Sequence, residues 1–477
     1  MPRFRRLALA AVLLAALLPS VAGARGLPKP VLEALRAAAV PVSATAVVVQ
    51  EVGAARASLS VNALAPMNPA SAMKLFTTFA ALELLGPAYK WKTEAYLDGP
   101  LAQGVLEGNL VLKGYGDPRL DYERFWLLLR ALRGKGLREI RGDLVLDRSF
   151  FAPANGAPGD FDGEALRPYN VLPDALLVHY KSIRFVFVPE FERGGVRVYV
   201  EPRPPGLELT SNLRLSGVSC LDGRAFRDLL QPTFEPGPPP RVAFEGRYPI
   251  ACGEKDLNVA LLAPDEQVAG VLRELWPEMG GAWSGRVRSG PLPEGARLLH
   301  THESAPLAEI VRDVNKFSNN VMARQLYLTL ATAAHEPPAQ PHQAQQVLRH
   351  WLNLKGIAAP ELSIENGAGL SRTDRASAAT LAELLQAAWK SPVMPELMAS
   401  LPLAALDGTM RKRLHGELLA GQAHLKTGLL SDSRAMAGYL LDAQGRRHVV
   451  VMLINHPNAP RAEAANDALL RWVYDRK

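Results

Sequence analysis

The chain has little cysteine: its 477 residues include only Cys220 and Cys252. No cluster of cysteine and histidine has the spacing of a zinc site, so the sequence offers no metal centre. Neither sign of charge dominates, because 54 lysines and arginines stand against 47 aspartates and glutamates. This small, dispersed excess argues against a nucleic-acid-binding surface. The sequence also lacks internal repeats and low-complexity tracts, and its length and composition indicate a globular protein of two or three domains.

Long apolar runs are missing too, apart from one near the N-terminus. Three arginines among the first six residues precede the apolar run 7–18, and small residues follow up to Ala24. This pattern is typical of a cleavable signal peptide over residues 1–24, with an uncleaved N-terminal anchor as the alternative. No later run approaches the roughly 20 apolar residues that a membrane span needs. We therefore predict an exported, soluble protein of the periplasm, with at most peripheral association with the membrane or envelope.

Export bears on the interpretation of the two cysteines. An exported protein meets an oxidising compartment, where a cysteine pair forms a disulfide more often than a redox or metal site. We therefore expect Cys220 and Cys252 to be joined. Both lie in a segment rich in short strands and turns, so this disulfide would staple a loop-rich part of the chain.

Hydrophobic periodicity divides the chain after the signal peptide into three parts. Strand and helix patterns fill the first part, short strands and turns fill the middle, and helices followed by strands fill the last. We predict an α/β (α+β) fold in which one catalytic domain, residues 25–94 and 298–477, is split by a large strand-rich insertion. Within the insertion we assign residues 95–165 and 245–297 to one domain and residues 166–244 to a second.

Ser71 and Lys74 form a Ser-x-x-Lys motif in a segment that we predict to be helical after Pro69. Residues i and i+3 share one face of a helix, so the lysine amine would reach the serine hydroxyl. A serine needs an adjacent base to act as a nucleophile, and a lysine can supply it only if burial or positive neighbours lower its pKa. The motif also occurs in many solvated helices, so its meaning depends on the rest of the chain.

Two later motifs supply partners for this serine. Ser-Asn-Asn occupies residues 318–320, between two predicted helices, and Lys-Thr-Gly occupies residues 426–428, before the terminal strands. The order Ser-x-x-Lys, Ser-x-Asn, Lys-Thr-Gly is the signature of penicillin-recognising acyl-serine enzymes. The middle residue of the second motif departs from the usual aspartate. No serine lies in a Gly-x-Ser-x-Gly elbow, which argues against a Ser-His-Asp hydrolase.

Two further segments narrow this resemblance to one branch. Residues 366–372, Asn-Gly-Ala-Gly-Leu-Ser-Arg, and residues 401–409, Leu-Pro-Leu-Ala-Ala-Leu-Asp-Gly-Thr, resemble elements of that branch and depart from them at Asn366, Ala368 and Ala405. With its long insertion, the chain resembles the D-alanyl-D-alanine carboxypeptidases/endopeptidases, the low-molecular-mass class C penicillin-binding proteins of the penicillin-binding protein 4 type. The resemblance implies a DD-peptidase/β-lactamase-like catalytic domain, peptidoglycan peptides as substrates and β-lactam antibiotics as covalent inhibitors, without a cofactor.

The resemblance brings the motif residues into one cleft and implies a catalytic role for each. Ser71 would attack the carbonyl between two terminal D-alanines, and neutral Lys74 would accept its proton. Ser318 would relay a proton to the leaving amine. Asn320 would hold Lys74 and the substrate amide, and the ammonium of Lys426 would lower the Lys74 pKa by like-charge repulsion.

Other residues would bind the substrate. Lys426 and Thr427 would hold its terminal carboxylate, and the backbone amide of Leu429, after Gly428, would form an oxyanion hole with the amide of the nucleophile. Asp162 resembles an acidic residue of the family that would meet a substrate ammonium. Alternatively, the insertion that carries Asp162 is only a spacer or a partner surface.

Two other functions fit the same motifs. A β-lactamase shares all three motifs and differs in how fast water releases the acyl group. A catalytically silent peptidoglycan-binding scaffold would keep the fold without the reaction. The long insertion favours the peptidase over the first, and the retained serines, lysines and asparagine argue against the second.

Overall fold

The computed structural model describes residues 26–476, so the predicted signal peptide, 1–24, lies outside the described residues. Helices and strands are mixed along the described chain. The α-helices are α1 Lys29–Ala37, α2 Lys74–Leu84, α3 Tyr122–Gly134, α4 Gly223–Leu230, α5 Pro264–Glu278, α6 Leu307–Lys316, α7 Asn320–Ala331, α8 Pro341–Leu354, α9 Ala378–Trp389, α10 Met394–Ser400 and α11 Glu463–Tyr474. The strands are β1 Thr45–Glu51, β2 Leu59–Val61, β3 Lys92–Asp98, β4 Leu101–Ala102, β5 Val105–Leu106, β6 Asn109–Gly114, β7 Glu139–Ile140, β8 Leu144–Asp147, β9 Ile183–Glu190, β10 Gly195–Glu201, β11 Glu208–Ser211, β12 Arg214–Ser216, β13 Pro232–Glu235, β14 Arg241–Phe244, β15 Arg247–Pro249, β16 Lys255–Val259, β17 Ala282–Trp283, β18 Val287–Ser289, β19 Arg297–Glu303, β20 Ala423–Leu429, β21 Ser433–Leu441 and β22 Arg447–Asn455.

A five-stranded antiparallel sheet in the order β2-β1-β22-β21-β20 joins the two ends of the chain. Successive side chains of a strand point to opposite faces, and both faces of this sheet are covered. Val450 and Met452 pack with α1 and α11 on one face. Val449 and Val451 pack with α2 and its neighbouring helices on the other face. Burial on both faces explains why β21 and β22 are almost continuously apolar.

Helix α2 lies in the core beneath the cleft. All of its residues from Lys74 to Leu82 are buried, and the helix packs against α6, α7 and α8. The predicted α-helix after Pro69 begins later than expected, because residues Ala70–Met73 form a 3-10 turn and Ala70 has a positive φ of 46°. Ser71 therefore lies on a tight turn that leads into α2.

The insertion begins and ends with neighbouring strands. β3 and β19 pair in a five-stranded sheet, β18-β8-β6-β3-β19, which shares one core with the small sheet β17-β7-β5-β4 and with helices α3 and α5. This arrangement lets the chain leave the catalytic unit and return to it at adjacent points.

The middle of the insertion has its own core. Phe185, Phe187, Phe244 and Tyr248 pack together among β9 to β16 and helix α4, and the structure joins Cys220 and Cys252 of this region in a disulfide.

The assignment of the whole segment 245–297 to the first inserted domain needs a correction. Strand β16 pairs with β9, and Leu257 and Val259 contribute to the core of the middle region, so residues 245–262 pack with that region instead. The division of the insertion into separate domains stays a prediction.

Candidate active site

The three motifs meet in one cleft, between the turn before α2, the junction of α6 with α7, and strand β20. Gly428 allows β20 to approach the turn closely. A Cβ atom at Gly428 would lie 2.8 Å from the backbone nitrogen of Ser71 and 2.9 Å from the carbonyl oxygen of Pro69. Only a residue without a side chain fits between the strand and the turn that carries Ser71, and this contact sets the Ser71 amide beside the end of β20.

Lys74 occupies the centre of the cleft floor and is fully buried. Its Nζ lies 3.0 Å from Ser71 Oγ, 2.6 Å from Asn320 Oδ1 and 2.6 Å from the carbonyl oxygen of Ala368. The oxygens of Asn320 and Ala368 can only accept hydrogen bonds. A neutral amine has two N–H groups, which these two oxygens take up, so its lone pair remains for the Ser71 hydroxyl.

Burial is the largest cause of a Lys74 pKa well below the usual value of 10.5. The neighbouring cations Lys426 and Arg324 lower it further, and Asp374 opposes them. The motifs predict that burial or positive neighbours lower this pKa, with Lys426 as the neighbour, and desolvation by the surrounding core has the larger effect. The direction is the one that a general base working near neutral pH requires.

Lys426 and Ser318 form a second pair beside the first. Lys426 is fully buried and donates hydrogen bonds from Nζ to Ser318 Oγ, at 2.9 Å, and to the carbonyl oxygen of Thr427, at 2.8 Å. Burial lowers the Lys426 pKa to about 7. Ser318 has a positive φ of 55° at the junction between α6 and α7, a conformation that is uncommon for residues other than glycine.

The outer end of β20 forms the rim of the cleft. Thr427 and Thr409 share a hydrogen bond between their hydroxyl groups, with an Oγ1–Oγ1 distance of 2.6 Å. Leu429 ends the strand, and 56% of its surface is exposed. These residues therefore lie where a substrate entering the cleft would meet them.

Asp162 lies in an exposed loop of the insertion, joined to the cleft through its neighbours. Its carboxylate accepts hydrogen bonds from the Tyr169 hydroxyl, at 2.8 Å, and from the Asn170 amide, at 2.7 Å. The carbonyl oxygen of Tyr169 in turn accepts a hydrogen bond from Asn320 Nδ2 at 3.5 Å. Burial acts to raise the Asp162 pKa, but hydrogen bonds from Tyr169, the Glu164 backbone and Asn170 lower it overall.

Several contributors to the site were not predicted from the sequence. The Ala368 carbonyl binds Lys74, and the following Gly369 is required because a Cβ there would lie 1.9 Å from the carbonyl oxygen of Ala70. The segment 366–372 was noted for its resemblance without a role in the site. The position of a backbone carbonyl cannot be inferred from the residue type. The glycines that flank Ala368 nevertheless indicate a closely packed backbone.

Comparison with known proteins gives the same picture. The model of the D-Ala-D-Ala carboxypeptidase 3 (S13) family matches residues 29–475. The chain belongs to this family. The resemblance drawn from the motifs is thus confirmed at the level of the family.

Curated members of the family match most of the chain. D-alanyl-D-alanine carboxypeptidase DacB of Haemophilus influenzae is 25% identical over 403 residues, which cover 82% of this chain and 80% of that protein. D-alanyl-D-alanine carboxypeptidase of an Actinomadura species is 28% identical over 417 residues, which cover 84% of this chain and 76% of that protein.

Solved structures confirm the α+β fold class. The crystal structure of penicillin-binding protein 4 (dacB) from Haemophilus influenzae superposes with a TM-score of 0.74 at 23% identity, covering 92% of this chain and 99% of that one. A second structure of the same protein, in complex with a β-lactam, gives a TM-score of 0.71 at 23% identity and covers 94% and 100% of the two chains.

Two further features of this family member concern metals and membranes. Among residues 26–476, no group of three or more histidine, cysteine, aspartate or glutamate side chains is arranged to hold a metal ion. Within the same residues, no helix combines the length and the hydropathy of a bilayer span.

Proposed function

We propose that this member of the family is a serine-type D-alanyl-D-alanine carboxypeptidase and DD-endopeptidase that acts on peptidoglycan through an acyl-enzyme on Ser71. The observation that carries the proposal is the environment of Lys74. Two acceptor oxygens orient its buried amine toward Ser71 Oγ, 3.0 Å away, and burial lowers its pKa.

Acylation begins when Ser71 Oγ attacks the carbonyl carbon of the penultimate D-alanine and transfers its proton to Lys74 Nζ. The carbonyl oxygen becomes negatively charged and meets the backbone N–H groups of Ser71 and Leu429. Removal of one such donor typically raises a barrier by about 2.7–4 kcal/mol.

Collapse of the tetrahedral intermediate breaks the C–N bond, and the leaving amine needs a proton. Ser318 gives its hydroxyl proton to the amine and is reprotonated from Lys426, with which it shares a hydrogen bond of 2.9 Å. The proton that Lys74 took from Ser71 then replaces the one that Lys426 gave up, so Lys74 is neutral again. Water attacks the Ser71 ester, Lys74 takes a proton from that water, and Lys74 gives this proton to Ser71 Oγ as the ester bond breaks. The net reaction is hydrolysis of one D-alanyl peptide bond.

Substrate orientation would use the rim of the cleft. The Thr427 hydroxyl and the Lys426 ammonium bind the carboxylate of the leaving residue by charge-assisted hydrogen bonds. In the insertion, Asp162 stays ionised and exposed, so it can accept a substrate ammonium. A β-lactam would acylate Ser71 in the same way as the peptide. The N-terminal sequence supports action in the periplasm after removal of residues 1–24.

The first test uses Ser71→Ala, with Ser60→Ala on the exposed strand β2 as a matched control. We expect Ser71→Ala to abolish covalent labelling by a fluorescent penicillin and release of D-alanine from a pentapeptide, with the control unchanged. Undiminished labelling of Ser71→Ala would refute the nucleophile. Rapid hydrolysis of nitrocefin without a lasting adduct would instead indicate a β-lactamase, and penicillin binding without D-alanine release would indicate a silent scaffold.

A further inference from the structure

A pocket of about 320 Å³ opens beside the cleft and is lined by Phe317, Gly408, Thr409, Arg411 and Lys412. None of these residues has a part in the reaction described above. The pocket nevertheless adjoins the site, because its two walls are neighbours of residues that we propose to act there.

One wall is Phe317, which directly precedes the proton-relaying Ser318 and leaves 69% of its surface exposed. The other wall is Thr409, which shares the 2.6 Å hydrogen bond with Thr427. Ser318 and Thr427 both face the leaving residue of the substrate. The pocket therefore extends the cleft on the leaving-group side, beyond the position of the substrate carboxylate.

The charge of the pocket is positive. Arg411 is exposed and has no ion-pair partner among residues 26–476. Lys412 meets Asp222 of the insertion at 3.5 Å, but both side chains are 77% exposed, so the pair is weak. Asp222 also binds Lys255 at 2.8 Å. Another carboxylate, Asp407, is paired with the buried Lys316 at 2.6 Å.

A free D-alanine is too small to use such a pocket. The leaving group of a cross-link cleavage is a whole second stem peptide, which offers more free carboxylates than a single amino acid. An exposed aromatic side chain, the weakly paired Lys412 and Arg411, unpaired in the described part of the chain, suit a peptide of this kind, because hydrogen bonds between cations and carboxylates are the strong ones.

We propose that this pocket binds the anionic leaving strand of cross-linked peptidoglycan and thereby favours the endopeptidase reaction over the carboxypeptidase reaction. Arg411 and Lys412 are its specificity-determining residues. The inference rests on the proposed function, since it concerns the leaving group of the same Ser71 acyl transfer.

The test compares Arg411→Gln/Lys412→Gln with wild type on two purified muropeptides, a D-alanyl cross-linked dimer and a monomeric pentapeptide. A double variant of two exposed cations far from the cleft, Arg56→Gln/Lys390→Gln, changes the net charge equally and serves as the control. We expect kcat/KM for the dimer to fall roughly tenfold, mainly through KM, while D-alanine release from the pentapeptide changes less than about twofold. The control should match wild type on both substrates.

A second arm changes the substrate instead of the enzyme. Amidation of the free carboxylates of the leaving strand, except the one beside the scissile bond that Thr427 and Lys426 hold, should lower cleavage by wild type. It should have no further effect on the double variant, because the two changes remove the same interaction. Equal loss on dimer and pentapeptide, or an unchanged dimer rate, would overturn the inference. If wild type released D-alanine but left the dimer intact, the pocket proposal would fail while the carboxypeptidase would stand; if Ser71→Ala retained labelling, the proposed function itself would fail.

Discussion

Replacement of Lys426 by methionine should make the protein more stable and less active. In the folded protein burial lowers the pKa of this lysine from 10.5 to about 7. A shift of this size corresponds to roughly 5 kcal/mol of destabilisation whenever the folded protein must carry the ammonium. Methionine has a similar length and no charge, so Lys426→Met removes this penalty.

Two hydrogen bonds would be lost in return. Lys426 donates to Ser318 Oγ and to the Thr427 carbonyl, and each bond contributes about 1 kcal/mol. The variant should therefore be more stable than wild type by roughly 2–3 kcal/mol below pH 7. At those pH values Lys426 is protonated in both the folded and the unfolded states.

The direction in which stability changes with pH follows from the number of protons that the folded and unfolded states bind. Between pH 7 and 10.5 the unfolded chain holds the Lys426 proton that the folded protein has released, so wild-type stability rises with pH across this window. The advantage of Lys426→Met should shrink over the same range and reverse near its upper end. Urea unfolding of both proteins at a series of pH values measures this difference.

Lys316→Met serves as a control for which we expect the opposite change in stability. Lys316 is also buried, but it is paired with Asp407 and donates to the Leu401 carbonyl. Its removal should destabilise the protein by about 1–3 kcal/mol, because these partners are left without a donor.

Labelling of Lys426→Met by a fluorescent penicillin should fall more than about tenfold. A Lys426→Met protein that is less stable than wild type by the same amount at every pH would refute the reasoning.

Three other predictions concern Gly428, Asp162 and the disulfide of the insertion. Gly428→Ala should slow penicillin acylation roughly tenfold or more, because its Cβ would push the Ser71 amide away from the oxyanion position; an unchanged acylation rate would contradict this role of the close approach. Asp162→Asn should raise KM about fivefold for peptides with a free side-chain ammonium but not for their N-acetylated forms, and equal effects on both would argue against the contact. Replacement of Cys220 and Cys252 by serine should destabilise the insertion by about 3–4 kcal/mol in thermal unfolding and leave acylation intact, so a loss of acylation in the folded variant would be unexpected.

The motif residues lie together in the structure, whereas their catalytic roles stay predictions. Ser71, Lys74 and Asn320 are joined by direct hydrogen bonds, as a serine that needs a base requires. Local helix periodicity also placed α2 correctly apart from its first turn. The 3-10 turn at Ala70 could not be predicted, because it depends on how closely β20, far along the chain, approaches it.

Backbone contributions to the site and long-range strand pairings could not be predicted from the sequence, for related reasons. The Ala368 carbonyl that binds Lys74 belongs to a residue with no polar side chain. The boundary at residue 245 was misplaced because β16 pairs with a strand that begins at Ile183, and such a pairing depends on the whole fold. The burial of Lys426 likewise follows from the packing of three segments rather than from its neighbours in sequence.

The contacts of α7 argue that the insertion is more than a spacer. This helix begins at Asn320, and its next turn carries Arg324, a buried cation that donates to the carbonyl oxygen of Val171 at 2.9 Å. Gln325 donates to the carbonyl oxygen of Asp174 at 2.7 Å and accepts from its backbone nitrogen at 2.9 Å. These hydrogen bonds join α7 to the insertion, and each contributes about 1 kcal/mol. The insertion thus contacts the helix that carries Asn320 against Lys74, and the surroundings of the Lys74 amine depend on both parts of the chain.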